Sequence, residues 1–543
     1  MLNPIETKSA KGRQRIAFDG FVSELRSGKY IDPEQAADAL LHALVTVAET
    51  KNRGCAKGSA KDPIPQSLPA YMVAELACHF YQFRVVDMLE SGRRDDSCLL
   101  AVYVGDANDP LYGTYSIADS RINNVLRSIC PDVTVVDLKN IYSVLKDTCP
   151  MVTLCRDRNL VAVGNGIYHL GEQKLYGFTP DLVFLSKIKA DYKPDAVDAP
   201  IYDEVTGTYW TMEDWMRSVN SDPQCVDFLW QVLGMLVRPN IAWERMVMLY
   251  SEEGNNGKGT FCSLARNLLG DGNHASIKLS DFSKDFAMTE LLHVQAVICD
   301  ENDVGVYVDG AANLKAAITG DVISVNRKYK DPVSMRFRGL ILQCINGMPK
   351  VKDKSKSFLR RLVFVKMDKN FSGKANPRIK GDYLKRQEVL EYVLKRVLEM
   401  ELDEGGLDIP LSSEIVKGEY REFNDPVCAF WSEMSDKFAW SLLPYTFLYD
   451  LYKKWFDKTN PRGKIVSYRQ FIQDLKGVVG TESVWKYDEG NRAQRTGTKM
   501  DDPEHLIVDW DLEDWMNGNY SGNDWKLKVS FKHQDFYRGL YIE

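Results

Sequence analysis

Between residues 251 and 261 the chain reads SEEGNNGKGTF, immediately after an apolar run, MVMLY, at 246 to 250. Glycines 254 and 257 allow the backbone to turn its N–H groups inward around phosphate oxygens, and Lys258 supplies a cation for the outer phosphates. A helix predicted from Thr260 to Leu269, ending at Gly270, adds the positive end of its dipole. Gly254, Asn255, Asn256, Gly257, Lys258, Gly259 and Thr260 are therefore candidate contacts for ATP; the plainer alternative is a Gly/Asn-rich surface turn. Two positions depart from GxxxxGK[ST]: Glu252 takes the first glycine position, and Gly259 stands where a magnesium-binding hydroxyl is expected, with Thr260 one place later.

Forty-two residues beyond Lys258 the apolar run VQAVIC, 294 to 299, ends in Asp300 and Glu301. Two carboxylates delivered beside a phosphate loop divide the work of hydrolysis. Asp300, with Thr260, is the candidate ligand for Mg2+, and Glu301 is the candidate acceptor of the attacking water's proton. A lone Asp-Glu pair is commonly a turn cap; its order and spacing after the loop carry the catalytic reading. The next run, LILQCI at 340 to 345, ends in Asn346, whose amide donates and accepts at once and so suits a bridge between γ-phosphate and water. Arg360 and Arg361 precede the last run, LVFV at 362 to 365, as candidate cations for charge developing on a transferred phosphoryl group. A structural ion pair is the alternative for either one, and the sequence does not choose.

Between two of these runs, GDVISVNRKYKDPVSMRFRG predicts two short strands, VISV and VSMRF, with a tip at RKYKDP. Arg327, Lys328, Tyr329 and Lys330 would protrude together, offering cations to a phosphate backbone and one ring to a base or sugar. From Ala311 to Lys380 there are 17 Lys and Arg against 4 Asp and Glu, in a chain whose net charge is −7. That segregation points to DNA rather than to an ordinary solvated face.

The elements that must position these residues form an α/β pattern: four apolar runs separated by helical or turn-rich segments, with the chemistry at the ends of the runs. Before them lie a helical run at PEQAADALLHALVTVAET, a Lys/Gly/Ser-rich linker-like patch ending near residue 62, and helical patterns flanking a strand at Leu99 to Val104. Asn165-Gly166 marks a hairpin, and a helix from Gln224 to Val237 is expected to carry Leu229, Val232, Leu233 and Leu236 on one face. After residue 400 the chain is helical again. One helix there carries Leu448, Leu451, Tyr452 and Trp455; a second, capped by Ser467, has Phe471, Ile472 and Leu475 inward and Arg469, Gln470, Gln473 and Lys476 outward. The basic stretch EGNRAQRTGTK is a candidate wing; the acidic tail with Trp510, Trp515 and Trp525 suggests no role. With 543 residues and 11 scattered Cys, no CxxC pair, no apolar signal core and no run of about 18 apolar residues, the chain is expected to be a multidomain protein of a reducing cytoplasm, that of a host cell if viral.

Phosphate loop, acidic pair, basic hairpin and strand-end Asn within one short span resemble the superfamily 3 helicases of viruses and plasmids. NGIYHL, ADYKPDA and TGDVISVNRKYKDP are similar to the helicase part of phage and plasmid primase-helicases and their poxvirus relatives, over about residues 70 to 480. The resemblance implies a modified AAA+ P-loop ATPase core at 241–400. It also implies a mainly helical, α+β collar-like domain at 63–240 after an N-terminal segment at 1–62, a helical linker at 401–440, and a winged-helix-like domain with the acidic tail at 441–543. It further implies a homo-hexamer moving 3′ to 5′ on single-stranded and forked DNA, with Lys328 or Lys330 on the strand, one of Arg360 and Arg361 acting on a neighbour, and a separate primase or polymerase as partner. No hhhDhD strand followed by a catalytic His is present, and Asp106 with Asp109 is a poor substitute, so primase chemistry is not expected. Two other readings stand beside the helicase. One is a DNA-binding initiator or scaffold whose nucleotide site only switches assembly; the other is a nucleotide kinase, which the basic hairpin does not serve.

Overall fold

In a computed structural model the described residues are 9–56, 58–303, 305, 307–308, 311–402, 406–461, 463–480, 484–487, 494–530 and 532–542. They divide into two units: 1–304, 308–347 and 361–410 in the first, 305–307, 348–360 and 411–543 in the second.

The first unit is built on a five-stranded sheet whose apolar runs are buried on both faces. We label its elements β1 (Met246–Tyr250), α1 (Lys258–Leu269), β2 (His274–Ala275), β3 (Ala296–Cys299), α2 (Ala311–Thr319), β4 (Val322–Arg327), β5 (Lys330–Arg336), β6 (Leu340–Ile345), β7 (Leu362–Lys366) and α3 (Pro377–Gly381). The order is β2-β3-β6-β1-β7, and every neighbouring pair is parallel. All five C-terminal ends therefore fall on one edge, where ligands of open α/β sheets bind. β3 begins two residues later than the run VQAVIC predicts. Its ladder starts at Ala296 opposite Leu340, because Gly339 is pressed against Gln295, where a Cβ would lie 2.0 Å from the Gln295 carbonyl.

The helix expected at 224 to 237 spans Pro223–Leu236, and instead of one buried face every residue from Phe228 to Leu236 is buried. It packs against both α1 and the helix Gln387–Leu398, which also touch each other, with Leu233, Phe261, Leu268 and Val393 in one cluster. The Asn165-Gly166 hairpin forms between Leu160–Val163 and Gly166–His169. Asn165 also exchanges hydrogen bonds with the backbone of Tyr192, donating to its carbonyl at 2.9 Å and accepting from its N–H at 3.0 Å. NGIYHL and ADYKPDA are thus one packed structure. The helical run near the N-terminus spans Pro33–Arg53, and Leu40 and Leu44 share a core with Met72, Leu76, Val85 and Leu126. A strand that sequence reading missed, Phe83–Asp87, lies in the middle of a four-stranded sheet there.

The second unit is mainly helical. Tyr445–Thr459 buries Leu448, Leu451, Tyr452 and Trp455. Ser467 caps Tyr468–Val479 by accepting from the Gln470 N–H; Phe471 and Leu475 are fully buried, Ile472 only partly. Arg469, Gln470 and Gln473 are exposed, whereas the Lys476 ammonium sits over the rings of Tyr445 and Tyr487 at 5.7 and 5.3 Å. Residues 489–493 of the candidate wing lie outside the described residues; Gln494–Arg495 pairs with Phe536–Tyr537. The acidic tail is core rather than appendage. Gly539–Tyr541 pairs with Leu442–Pro444, Trp515 is buried with its indole N–H donating to Asp450 at 3.0 Å, and buried Glu504 accepts from the N–H groups of Ala439 and Trp440 at 2.8 and 3.1 Å. Among the described residues no helix is long and apolar enough to cross a membrane.

Candidate nucleotide site and basic hairpin

β1 is the strand between β6 and β7 and hands directly into the phosphate loop. The Ser251 N–H still pairs with the Ile345 carbonyl at 3.3 Å; after it the chain reverses through Asn255 at φ 56° and Gly257 at φ 88°. Gly257 caps α1, so Lys258 is its first residue, two earlier than predicted. A residue with a Cβ at Gly257 would be held in the left-handed region, which favours glycine.

Lys258 is only 6% exposed. Its ammonium lies 3.4 Å from the Ser251 carbonyl, burial pushes its pKa down, and among the described residues no carboxylate pairs with it. A buried cation with one long contact is incomplete until an anion arrives. Asn256 is buried and keeps the loop in shape, donating to the Glu253 carbonyl at 2.5 Å and accepting from the Lys258 N–H at 3.4 Å. Asn255 ties the loop to a segment that sequence reading missed: its carbonyl accepts from Phe371 N–H at 2.7 Å and its amide donates to Ser372 Oγ at 3.1 Å. Glu252 takes a hydrogen bond from the Tyr250 hydroxyl at 2.9 Å. Gly254 is exposed in the turn, and Gly259 and Thr260 lie in the first turn of α1.

Cys299, last in β3, is level with Gln343 of β6, so Asp300, Glu301 and Asn346 emerge on the same edge as the loop. Asp300 is held by Arg266 of α1, with N···O distances of 2.8 and 3.1 Å. Partial burial raises its pKa, but the guanidinium outweighs that and holds it below the usual carboxylate range; Arg266 is correspondingly raised. Glu301 is exposed and, among the described residues, its carboxylate has no partner; Asn346 is exposed as well. Asn302, unnoticed in the sequence, locks the acidic turn in place. Its Nδ2 donates to Gln343 Oε1 and to the Cys344 carbonyl, both at 2.9 Å, and its Oδ1 accepts from Leu279 N–H at 3.0 Å. Behind the loop the thiols of Cys262 and Cys344 lie 3.3 Å apart, and the hydrogen bond between them and burial keep Cys344 well above its ordinary pKa.

Arg360 and Arg361 lie elsewhere. The Arg361 carbonyl accepts from Met246 N–H at 2.8 Å, which places it at the N-terminal edge of the sheet, a strand length of about 13 Å from the phosphate loop. Arg361 is 8% exposed, whereas Arg360 is exposed.

The basic hairpin is present but tighter than predicted. β4 and β5 extend through Arg327 and Lys330, leaving a tip of Lys328 and Tyr329. Tyr329 is 93% exposed at φ 59°, with the Lys328 ammonium 5.2 Å from its ring centre. The other two cations are engaged: Arg327 donates twice to the Asp331 carbonyl, and Lys330 forms an ion pair with Asp119.

The sequence comparisons fall on both sides of this site as well as across it. Residues 116–211 match the family described as "D5 N terminal like", and residues 422–517 match "Poxvirus D5 protein-like". The flanking segments are D5-like. Residues 249–361, which carry the loop, acidic pair and hairpin, match a family of unknown function, DUF5906. Among solved structures, the apo NrS-1 C-terminal region is similar over 80% of this chain and 98% of its own, at 12% identity and TM-score 0.45. Two A-form apo structures of that region give 13% identity, TM-score 0.43, 82% and 91% coverage, and 12% identity, TM-score 0.44, 88% and 100% coverage. These two segments, of 96 residues each, are what the chain shares with D5-type proteins.

Proposed function

We propose that the chain is an ATP-dependent DNA helicase of superfamily 3 type, with a modified AAA+ core and a winged-helix-like second unit. In this reading it hydrolyses ATP to move 3′ to 5′ along single-stranded DNA as a ring. The observation that carries the reading is the parallel register that puts Lys258, Asp300, Glu301 and Asn346 on one sheet edge. The strand order β2-β3-β6-β1-β7 and the D5-like flanks support it.

Lys258 and the N–H groups opening α1 bind and orient the β- and γ-phosphates, the anion completing a buried ammonium that has no carboxylate of its own. The oxygen donors at this edge, Asp300, Thr260 and phosphate, suit magnesium, which when bound neutralises charge on the phosphate oxygens. Asp300 is held ionised for that role by Arg266. Glu301, without a partner among the described residues, accepts a proton from the attacking water, and Asn346 orients that water against the γ-phosphate. Arg361 is 8% exposed and Arg360 is exposed; in this reading Arg360 serves a neighbouring subunit. The Lys328-Tyr329 tip offers charge and a stacking face to the strand.

The test is DNA-stimulated ATP hydrolysis and unwinding of a 3′-tailed duplex by wild type and Glu301→Gln, together with the mass of the assembly. The reading requires stimulation by single-stranded DNA, unwinding, and loss of both in the variant. Hydrolysis indifferent to DNA and an intact duplex would overturn it. A second reading, an initiator whose nucleotide site only switches assembly, draws on the Asp300–Arg266 pair, which occupies the carboxylate that a hydrolytic site needs. Under it Glu301→Gln leaves replication intact.

A further inference from the structure

Gly259 is the position where a phosphate loop of this type normally places a hydroxyl, and the structure shows what lies beside it. A Cβ built on Gly259 would be 3.7 Å from the ammonium of Lys380, which comes from α3, well beyond the last strand of the sheet. Lys380 is exposed, and among the described residues it has no ion-pair or hydrogen-bond partner. Its charge also acts on Asp300, helping to hold that carboxyl low. Neighbouring cations of α3 and the following turn are engaged: Arg378 lies 3.7 Å from Asp203, and Arg386 pairs with Asp382 at 2.7 Å. Lys380 is thus an unpaired ammonium reaching back to the opening turn of α1, on the Asp300 side of the loop.

We infer that Lys380 is a second nucleotide-binding cation, contacting the β- and γ-phosphate oxygens on the side that Gly259 leaves open. The inference rests on the nucleotide reading of the loop and explains its oddest departure. A Cβ at 259 would meet the Lys380 ammonium at ordinary contact distance, so this cation faces the position where a metal-ligating hydroxyl is otherwise expected. Positive charge from α3 then stands on the side of the phosphates that lacks that hydroxyl. Wild type should accordingly retain substantial affinity for metal-free ATP.

The experiment is calorimetric titration of the full chain with ATP, in magnesium and in EDTA, for wild type, Lys380→Ala, Lys380→Arg and Lys258→Ala. Removing one charged contact to phosphate should weaken metal-free binding about tenfold or more in Lys380→Ala, with a smaller loss in magnesium. Lys380→Arg should restore most of it. An exposed side chain without partners makes no fold contribution, so melting temperature should not move. Unchanged ATP affinity in Lys380→Ala, alongside a large loss in Lys258→Ala, would overturn the inference and leave the loop's assignment standing. If Lys258→Ala also binds ATP normally, or wild type binds none, the nucleotide reading itself fails, and Lys380 with it.

Discussion

Replacing Asn302 by Ala separates the anchoring of the acidic turn from its chemistry. The side chain makes four hydrogen bonds: to Gln343 Oε1, to the Cys344 carbonyl, from Leu279 N–H and, longer, to Cys299 Sγ at 3.8 Å. Gln343 is fully buried, with its Nε2 already committed to the Ile277 carbonyl at 3.1 Å, so its oxygen has no access to water once Asn302 is gone. A net hydrogen bond is worth about 1 kcal/mol and each buried group left unpaired costs about 1–3 kcal/mol. The Cys344 carbonyl and the Leu279 N–H lose a partner as well, so the loss should reach about 3 kcal/mol or more, concentrated locally. Because the turn after β3 carries Asp300 and Glu301, a shift there should lower kcat at least about tenfold. ATP affinity, set by the loop after β1, should stay within about twofold. Hydrogen exchange at the Leu279 amide and steady-state hydrolysis read the two effects. A Leu279 amide as protected as in wild type, with kcat unchanged, would refute the assignment of Asn302 as the anchor.

Lys258→Ala should abolish hydrolysis without lowering the melting temperature, since it removes a buried charge that has no carboxylate partner; a fall of several degrees would mean the ammonium is structural. Asp119→Asn should release Lys330, raise affinity for single-stranded DNA and steepen the dependence of log K on log salt by about 0.7; Lys328→Ala should do the reverse, both read by fluorescence anisotropy. For Asp300, whose folded pKa is depressed, the ion pair with Arg266 is fully present above the ordinary carboxylate range and is lost as pH falls through the folded value. Arg266→Ala should therefore move the acid limb of the kcat/KM profile to higher pH, and an unmoved limb would exclude Asp300 from the active ionisation. Cys262 and Cys344, buried and hydrogen-bonded as thiols, should resist iodoacetamide at neutral pH until the chain unfolds, which mass spectrometry of labelled peptides checks.

What was legible beforehand follows from where each signal resides. The sheet runs were readable because buried parallel strands are continuous apolar sequences, and LILQCI matches β6 residue for residue. The motifs at their ends were readable because loop, carboxylates and amide each follow a strand directly. Arg266, Asn302, Phe371 and Lys380 were not, since each is joined to the site by folding rather than by local pattern: Arg266 looks like an ordinary helix cation until Asp300 is brought beside it. Phe83–Asp87 is hard to read from sequence because FRVVD is short and carries charge at Arg84 and Asp87; both are satisfied locally, the Arg84 guanidinium on the Phe83 carbonyl and Asp87 on the turn at Leu89 and Gly92. The tail after 500 resisted interpretation for a related reason. Its tryptophans have no helical or strand period, and the buried one, Trp515, meets Asp450, more than 60 residues away.

The residues that break ordinary folding rules also have a distribution. A lysine is almost never buried without a partner, yet Lys258 is, and an aromatic residue rarely occupies positive φ, yet Tyr329 does so at a fully exposed turn. Such features persist where the surrounding structure over-determines them. At Lys258 the overdetermination is visible: Asn256, Asn255 and the 370–372 segment fix the loop from both sides, so the ammonium cannot swing to water. At Tyr329 it is the antiparallel ladder of β4 and β5, with Arg327 folded onto Asp331 and Lys330 onto Asp119, that forces the turn onto two residues. In each case neighbouring polar groups satisfy one another and leave a single unmatched group facing outward from a rigid frame. An anion relieves the first and a flat apolar face complements the second. In the proposed function a nucleotide phosphate would supply the first and a nucleic-acid base the second.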